Sequence, residues 1–287
     1  MASKTGDTQL RAENVSKALK GFGLKKFKLK QVLLSMTSTS STESYWRETA
    51  AELSASGEGF SVQGVARGAT FPHVDPSWTR VSGRHIKFAA EGLVMMEDRM
   101  LNEIAVQART ILRVARAITN QIDAYIYTEL SGASGINTAA TSAEWDSATV
   151  ANRDPINDIL KGIQYMDDDN YDVLENGYLI VNPNDYRSII SNSKVINNPS
   201  YKTADVVSNG IVGQICGLKI IKTTSVTDDE AMIIIGQRAA TWQSAIALTS
   251  AVIKDEGIKD KIRSWEMGHV QVTDPEAIHI ITNTTIL

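Results

Sequence analysis

RGATFPHVDPSWTR, residues 67–80, leads through residues 81–91 into one amphipathic helix that is predicted to end near residue 130. Glycine, proline and polar residues in the quoted stretch predict an extended hairpin. A helix of roughly 35 residues is about 50 Å long, whereas the usual globular helix has about 11–12 residues. Because neither a polar hairpin nor such a helix can bury itself alone, the pair is typical of a part that neighbouring molecules complete.

Two large apolar side chains, Phe71 and Trp78, stand out in this polar hairpin. One interpretation is that they fold back onto the core of their own chain. The other is that they anchor a neighbouring subunit, and we favour it because buried aromatic side chains supply much of the binding energy of protein interfaces. With the arginines beside them, the candidate assembly-interface residues are Arg67, Phe71, Trp78 and Arg80.

The long helix has one apolar and one basic face. The apolar positions recur at helical spacing and are Met100, Ile104, Ala108, Ile111, Ala115, Ile118 and Ile122. Arg109, Arg113 and Arg116 share the opposite face. This arginine row is either a solvated polar surface or a contact for phosphates or acidic side chains of another molecule. The glycines in residues 131–135, SGASG, end the helix.

Charged residues are unevenly distributed along the chain. The net charge is −4, yet residues 1–34 hold eight Lys and Arg against two Asp and Glu. Eight of the ten residues 35–44 are Ser or Thr, which predicts an extended or flexible strap, so residues 1–45 are an arm and not a domain. The arm either meets a polyanion or an acidic partner, or is a solvated terminus. Its candidates for DNA or inter-subunit contacts are Lys25, Lys26, Lys28 and Lys30, together with the arginine row.

The rest of the chain predicts a mixture of helices and strands. In residues 136–240, Asp154-Pro155 predicts a helix start, and apolar runs at 177–183, 217–222 and 231–236 predict buried strands. Residues 240–287 alternate as strands do and close with a strand at 277–282. The composition, with 43% hydrophobic and 22% charged residues, is that of a globular protein and not of a disordered one.

No motif for catalysis or metal binding emerges. Cys216 is the single cysteine, and the four histidines have no zinc-like spacing with it or with one another. The glycines of residues 210–217 predict a turn into a strand, and the three carboxylates at 167–169 favour a solvated helix end over a cation site. We therefore predict no catalytic, cofactor or metal site. No apolar run approaches the roughly 18 residues of a membrane span, so we expect a soluble cytoplasmic product without a membrane partner.

The order of these parts resembles the Hong Kong 97-type major capsid protein of tailed double-stranded DNA viruses of bacteria and archaea. The segments that carry the resemblance are 67–80 with the helix 97–130, GIVGQICGLKI at 210–220, and the strands at 270–272 and 277–281. The resemblance implies an α+β fold with an N-terminal arm at 1–45 and an extended loop hairpin at 46–92. It implies a peripheral domain with a spine helix at 93–135 and 240–287, and an axial domain at 136–239.

The same resemblance implies a structural, non-enzymatic function. Copies of the chain, as pentamers and hexamers, would self-assemble in the host cytoplasm into the icosahedral shell of a virion around double-stranded DNA. Scaffold, portal or decoration proteins are further implied partners. Some members cross-link neighbouring subunits through a Lys–Asn bond, but the loop region here offers only Lys87, close to the helix, so we expect no cross-link.

Two alternatives stay open. An encapsulin, a cellular compartment with the same fold, usually begins with a helix that holds cargo and not with a strap rich in Ser and Thr. A small-molecule α/β enzyme centred on residues 136–240 predicts a monomer or small oligomer with a polar cleft.

Overall fold

The computed structural model describes residues 27–48, 66–71, 78–101, 106–196 and 213–286. The chain divides into two compact units, each assembled from separate segments. Unit 1 consists of Met1–Glu43, Ser82–Thr128 and Trp242–Gln271. Unit 2 consists of Ser44–Val81, Glu129–Thr241 and Val272–Leu287.

The described part of the chain contains twelve strands and six α-helices. The strands are β1 (Leu34–Thr37), β2 (Thr42–Glu48), β3 (Trp78–Arg84), β4 (Ile86–Met95), β5 (Asn137–Ala140), β6 (Gly177–Val181), β7 (Gln214–Ile215), β8 (Leu218–Lys222), β9 (Glu230–Ile235), β10 (Ala240–Asp255), β11 (Lys259–Val272) and β12 (Ile278–Thr282). The helices are α1 (Met96–Leu101), α2 (Val106–Ser131), α3 (Pro155–Asp168), α4 (Val173–Asn176), α5 (Pro183–Ser191) and α6 (Ser193–Ile196).

Unit 1 packs helix α2 on a four-stranded sheet of order β1-β10-β11-β4. The sheet approaches the helix closely at Gly92, where a Cβ atom would collide with Thr110 and Val114. Nearby, the rings of Phe88 and Tyr125 lie 5.4 Å apart. The absence of a side chain at position 92 thus lets strand and helix pack without a gap.

The structure confirms the predicted long helix over α2. Fewer residues of its apolar stripe are buried than the periodicity predicts. Ile111, Ala115, Ile118 and Ile122 are buried, as the periodicity predicts. Met100 is 74% exposed and Ala108 is exposed, so the stripe is buried only from Ile111 onward. Ile104 lies outside the described residues.

In the described part of the predicted arm, residues 28–33 form bends and turns, residues 34–37 form β1 and β2 begins at Thr42; unit 1 contains the arm as far as Glu43. The segment begins with buried Phe27 and Leu29, and the carboxylate of Asp123 accepts the backbone N–H groups of Lys28 at 3.0 Å and Leu29 at 3.3 Å. Strand β1 then joins the four-stranded sheet. Backbone polar groups of this segment thus form hydrogen bonds with the sheet and with the side chain of Asp123. The sequence pattern of residues 1–45 does not predict these distant partners.

Unit 2 is built on a six-stranded sheet of order β5-β12-β9-β6-β8-β7. Strand β12 runs parallel to β5, and β6 runs parallel to β8. The remaining pairs, β12 with β9, β6 with β9 and β7 with β8, are antiparallel. Because β12 pairs with β5 and β9, residues 272–287 belong to unit 2, whereas the resemblance implied that all of 240–287 lie with the long helix.

Local sequence signals of unit 2 are confirmed. Asp154 caps α3, accepting the backbone N–H of Asn157 at 3.3 Å, and Pro155 occupies the first turn. The predicted strands at 177–183, 217–222, 231–236 and 277–282 appear as β6, β8, β9 and β12. Cys216 and Gly217 form the turn between β7 and β8 with φ values of 50° and 81°, the left-handed pair that a two-residue hairpin requires.

Candidate assembly surfaces

Strands β2 and β3 pair as a two-stranded ribbon that exposes aromatic side chains. Trp46 on β2 and Trp78 on β3 are 58% and 53% exposed, and their ring centroids lie 6.2 Å apart. Phe71, in the segment before β3, is 88% exposed. Exposed aromatic clusters of this kind mark surfaces that bind other molecules.

Hydrogen bonds within unit 2 hold the ribbon where β2 ends. The Nε atom of Arg47 donates to the carbonyl oxygen of Val272 at 3.2 Å. The backbone N–H of Glu48 donates to the carbonyl oxygen of Thr273 at 2.8 Å. The ribbon is therefore fixed at one end of β2 by the chain itself, while its tryptophans stay in solvent.

All four predicted interface residues are exposed. Arg67 and Phe71 lie in the described segment 66–71, and Trp78 and Arg80 lie on β3. Residues 72–77, between the two pairs, are outside the described part. Trp46, which contacts Trp78, was not among the predicted residues, although it is a tryptophan at an alternating position next to the Ser- and Thr-rich strap.

The basic residues of the arm have different environments. Lys28 is exposed. The ammonium group of Lys30 forms an ion pair with Glu266, which is fully buried, and lies over the rings of Phe27 at 4.6 Å and Trp242 at 5.1 Å. A buried carboxylate needs such a partner, so Lys30 anchors the arm within unit 1. Lys25 and Lys26 lie outside the described residues.

The arginine row of α2 is accessible. Arg109, Arg113 and Arg116 are all exposed, while Ile111 and Ala115 on the other face are buried. This arrangement agrees with a solvated face and equally with a contact to phosphates or carboxylates. The role of the row stays a prediction.

Unit 1 also holds a buried histidine pair that sequence spacing does not predict. His85 and His269 are 4% and 2% exposed, and their Nδ1 atoms lie 3.2 Å apart. Burial and the neighbouring His85 lower the pKa of His269. The two residues are far apart in sequence and meet only because β11 pairs with the beginning of β4, where Gly268 lies opposite Ile86.

Beside edge strand β5, unit 2 has a cavity of about 410 Å³, lined by Asn137, Thr138, Ala139, Tyr165, Asp168, Asp169 and His279. His279 is 1% exposed and stacks on Tyr165 with ring centroids 5.6 Å apart. Burial lowers the pKa of His279 to about 4, so its imidazole is neutral at pH 7. Asp169 accepts a hydrogen bond from Asn137 at 2.9 Å.

Metal and membrane signals are absent from the part of the chain that the structure describes. Within it, no group of three His, Cys, Asp or Glu residues is placed to hold a metal ion. None of its helices combines the length and apolarity needed to cross a membrane. At Cys216, burial raises the pKa of the thiol, which makes it a poor nucleophile.

A family model described as phage capsid protein matches residues 92–281, well over half of the 287-residue chain. No curated protein matches the chain.

Solved structures of similar fold cover most of the chain. The virus-like particle from Pyrococcus furiosus is 14% identical with a TM-score of 0.62, and the alignment covers 94% of this chain and 98% of that one. The capsid of cyanophage P-SCSP1u is 12% identical with a TM-score of 0.67, covering 89% and 88%. A structure of Mycobacterium phage Che8 is 19% identical with a TM-score of 0.61, covering 84% of each chain. At these identities the similarity shows a shared fold.

Proposed function

This chain belongs to the phage capsid protein family and is a structural major capsid protein, and we propose that its icosahedral shell, built from pentamers and hexamers of the chain, encloses double-stranded DNA. The observation that carries the proposal is the exposed aromatic ribbon. Trp46, Phe71 and Trp78 are all more than half exposed in one subunit. A neighbouring subunit would bury them.

The size of this aromatic surface supports an assembly role. Aromatic side chains bury about 150–250 Å² each, so the exposed parts of the three rings together offer on the order of 400 Å² of apolar area. A stable interface buries about 800 Å² per partner. The two tryptophans of the ribbon and Phe71 would therefore supply about half of an interface, and the exposed Arg67 and Arg80 would add charged contacts.

We propose residues 46–92 as the extended loop that crosses onto a neighbour, residues 1–45 as an arm, and the exposed basic groups as contacts to DNA or to other subunits. Support for the last comes from the exposure of Lys28, Arg109, Arg113 and Arg116. Binding of phosphates by such groups weakens steeply with salt. Scaffold, portal or decoration proteins are proposed as further partners on the resemblance alone. The virion component is proposed to assemble in the host cytoplasm.

We favour a structural over a catalytic role. The histidines that the structure describes, His85, His269 and His279, are all buried, and the thiol of Cys216 has a raised pKa. General acid–base catalysis requires a group within hydrogen-bonding reach of its substrate. His85 and His269 are enclosed in unit 1, and His279, which lines the cavity beside β5, is a weak base because burial lowers its pKa to about 4. Both observations weaken the small-molecule enzyme alternative.

Electron microscopy of the expressed full-length chain tests this function, together with nuclease treatment of purified particles. We expect closed shells that protect DNA of genome length. An enzyme cargo inside DNA-free shells would support the compartment alternative instead. A chain that stays monomeric at every concentration, with and without proteins of its virus, would contradict the shell.

A further inference from the structure

Strands β4 and β11 in the four-stranded sheet of unit 1 have one buried and one accessible face. On β4 and β11, alternate residues such as Phe88, Val94, Ile262 and Glu266 are buried. The strand register places the residues between them opposite one another, with Lys261 beside Leu93, Arg263 beside Glu91 and Trp265 beside Ala89. We name this second set the basic face: Lys87, Ala89, Glu91, Leu93, Met95, Lys259, Lys261, Arg263, Trp265 and Met267.

The basic face mixes positive charge with apolar area. It carries four Lys or Arg residues and one carboxylate, Glu91. Arg263 pairs with Glu91 and, chiefly through this hydrogen bond, lowers the pKa of that carboxyl. Leu93 and Met95 are 45% and 40% exposed. Surfaces that bind DNA are strongly polar and basic, whereas half of this face is apolar, which favours a protein partner that carries negative charge.

The two units of the chain differ in charge. Unit 1 contains 18 Lys and Arg against 12 Asp and Glu, a formal charge of +6, of which residues 1–26, outside the described part, supply +4. Unit 2 contains 11 against 21, a formal charge of −10, and together they give the −4 of the whole chain. In a shell made of identical chains, unit 2 of another copy is the most abundant acidic protein surface.

Unit 2 concentrates exposed carboxylates where α3 ends and α4 begins. We name this region the acidic surface: Tyr165, Asp167, Asp168, Asp172, Leu174 and Glu175. Like the basic face it contains apolar groups, since Tyr165 and Leu174 are 48% and 57% exposed. Asp168 lines the 410 Å³ cavity, which offers a negatively charged recess to a lysine side chain. His279 lines the same cavity and is uncharged at pH 7, so it leaves this negative charge intact.

From this double complementarity of charge and apolar area, we propose that the basic face of one copy binds the acidic surface of a second copy. The inference rests on the proposed shell function and names a second contact besides the aromatic ribbon. The two surfaces differ, so the contact is head-to-tail, the kind that closes into rings around a symmetry axis. Its charges act over about 10 Å at 0.1 M salt, so this contact weakens as salt rises.

Charge reversal in the full-length chain tests the proposal. The variants are Lys261→Glu, Asp168→Lys and the double variant, and the readout is the lowest concentration at which light scattering and negative-stain images show shells, at low and high salt. Each single reversal is expected to raise this concentration by about fivefold or more. The double variant restores opposite charges across every copy of the contact and is expected to recover most of the loss.

Arg187→Glu is the matched control, because it makes the same change of charge at an exposed site of unit 2 outside both surfaces. It is expected to change the assembly concentration much less. Thermal unfolding of each variant reports whether the subunit itself is intact. If Lys261→Glu does not fold, Lys261→Gln tests the same contact by removing the charge only.

Three results would overturn the proposal while leaving the shell function standing. Lys261→Glu and Asp168→Lys could both assemble as the unaltered chain does. Both could lose assembly without recovery in the double variant. Lys261→Glu shells could also form normally but protect less DNA, which would assign the basic face to the genome. Failure of the unaltered chain to assemble at all would instead contradict the shell function.

Discussion

The central strands of the six-stranded sheet bury their apolar side chains, whereas the β2–β3 ribbon leaves its own exposed. In β6, β9 and β12 nearly every residue is buried. In β2 and β3 none is buried, although each strand carries a tryptophan. The sheet finds all its apolar partners within the chain, whereas the ribbon lacks them in a single subunit. Folding should therefore depend on the first region and assembly on the second.

The largest expected effect is on folding, from Leu179→Ala in β6. Leu179 is fully buried, and replacing a buried leucine by alanine costs about 3–5 kcal/mol of unfolding free energy, because a cavity is left behind. Urea unfolding followed by circular dichroism measures it. Leu160→Ala is the matched control, since Leu160 is 49% exposed, and it should cost far less. Similar losses at both sites would break the contrast.

Acid should weaken the sheet through His279. Because burial lowers the pKa of this residue from about 6.5 to about 4, the folded state disfavours the proton that the unfolded state accepts. The stability is present above pH 6.5 and is lost between pH 6.5 and 4, by up to about 3 kcal/mol. Unfolding measured across this range should be less acid-sensitive in His279→Leu than in the unaltered chain.

Asp185 provides the opposite case. Burial raises the pKa of its carboxyl to about 6, although the hydroxyl groups of Thr285 and Thr284 donate to it. The folded state therefore favours the protonated form, and this group adds stability as the pH falls through 6. Asp185→Asn removes that gain and should make the chain more sensitive to acid. An unchanged pH profile in both variants would mean that neither group governs it.

Trp78→Ala should separate assembly from folding. A tryptophan at the centre of an interface contributes about 2 kcal/mol or more to binding, whereas loss of its contact with Trp46 costs the subunit about 1 kcal/mol. The concentration needed for shells should rise at least tenfold with little change in urea unfolding. Trp242→Ala, at a fully buried tryptophan, should instead impair the fold. Equal losses of folding stability and of assembly in Trp78→Ala would show that Trp78 stabilises its own subunit and not an interface.

The smallest effect is expected from Glu91→Gln. Arg263 pairs with Glu91 at the surface, and side-chain exposures of 48% and 37% leave the pair in water. Ion pairs in solvent contribute little to folding. Thermal unfolding of the isolated subunit should be unchanged within error, and a measurable loss would show that the basic face helps to hold unit 1 together.

Elements with local signals could be predicted from the sequence. Helix α2 follows from its apolar period, and α3 begins at a capping Asp and a Pro in its first turn. Strands β6, β8, β9 and β12 are short apolar runs bounded by turns. In each case the decisive interactions involve residues close in sequence or a continuous apolar face.

Features that depend on distant partners could not be predicted. Strand β1, LSMT, has only four residues, too few for their alternation of apolar and polar side chains to identify a strand, and it pairs with the distant strand β10. His85 meets His269 across 184 residues, and the apolar period of α2 does not reveal that its buried stripe begins only at Ile111. In the candidate site, Phe71 and Trp78 are exposed, and their position in a polar, glycine-rich stretch had singled them out. The contact of Trp78 with Trp46 depends on the pairing of β2 with β3, which the sequence did not predict.

The ion pair between Lys30 and Glu266 has a consequence for how the molecule is made. The two residues are separated by 236 positions. A ribosome that adds about 5–20 residues per second needs roughly 10–50 s to cover that distance. Leu29 can meet Asp123 after 94 residues, whereas Lys30 waits without its ion-pair partner until almost the whole chain has been synthesised. Although this segment is translated early, it is among the last to be locked in place.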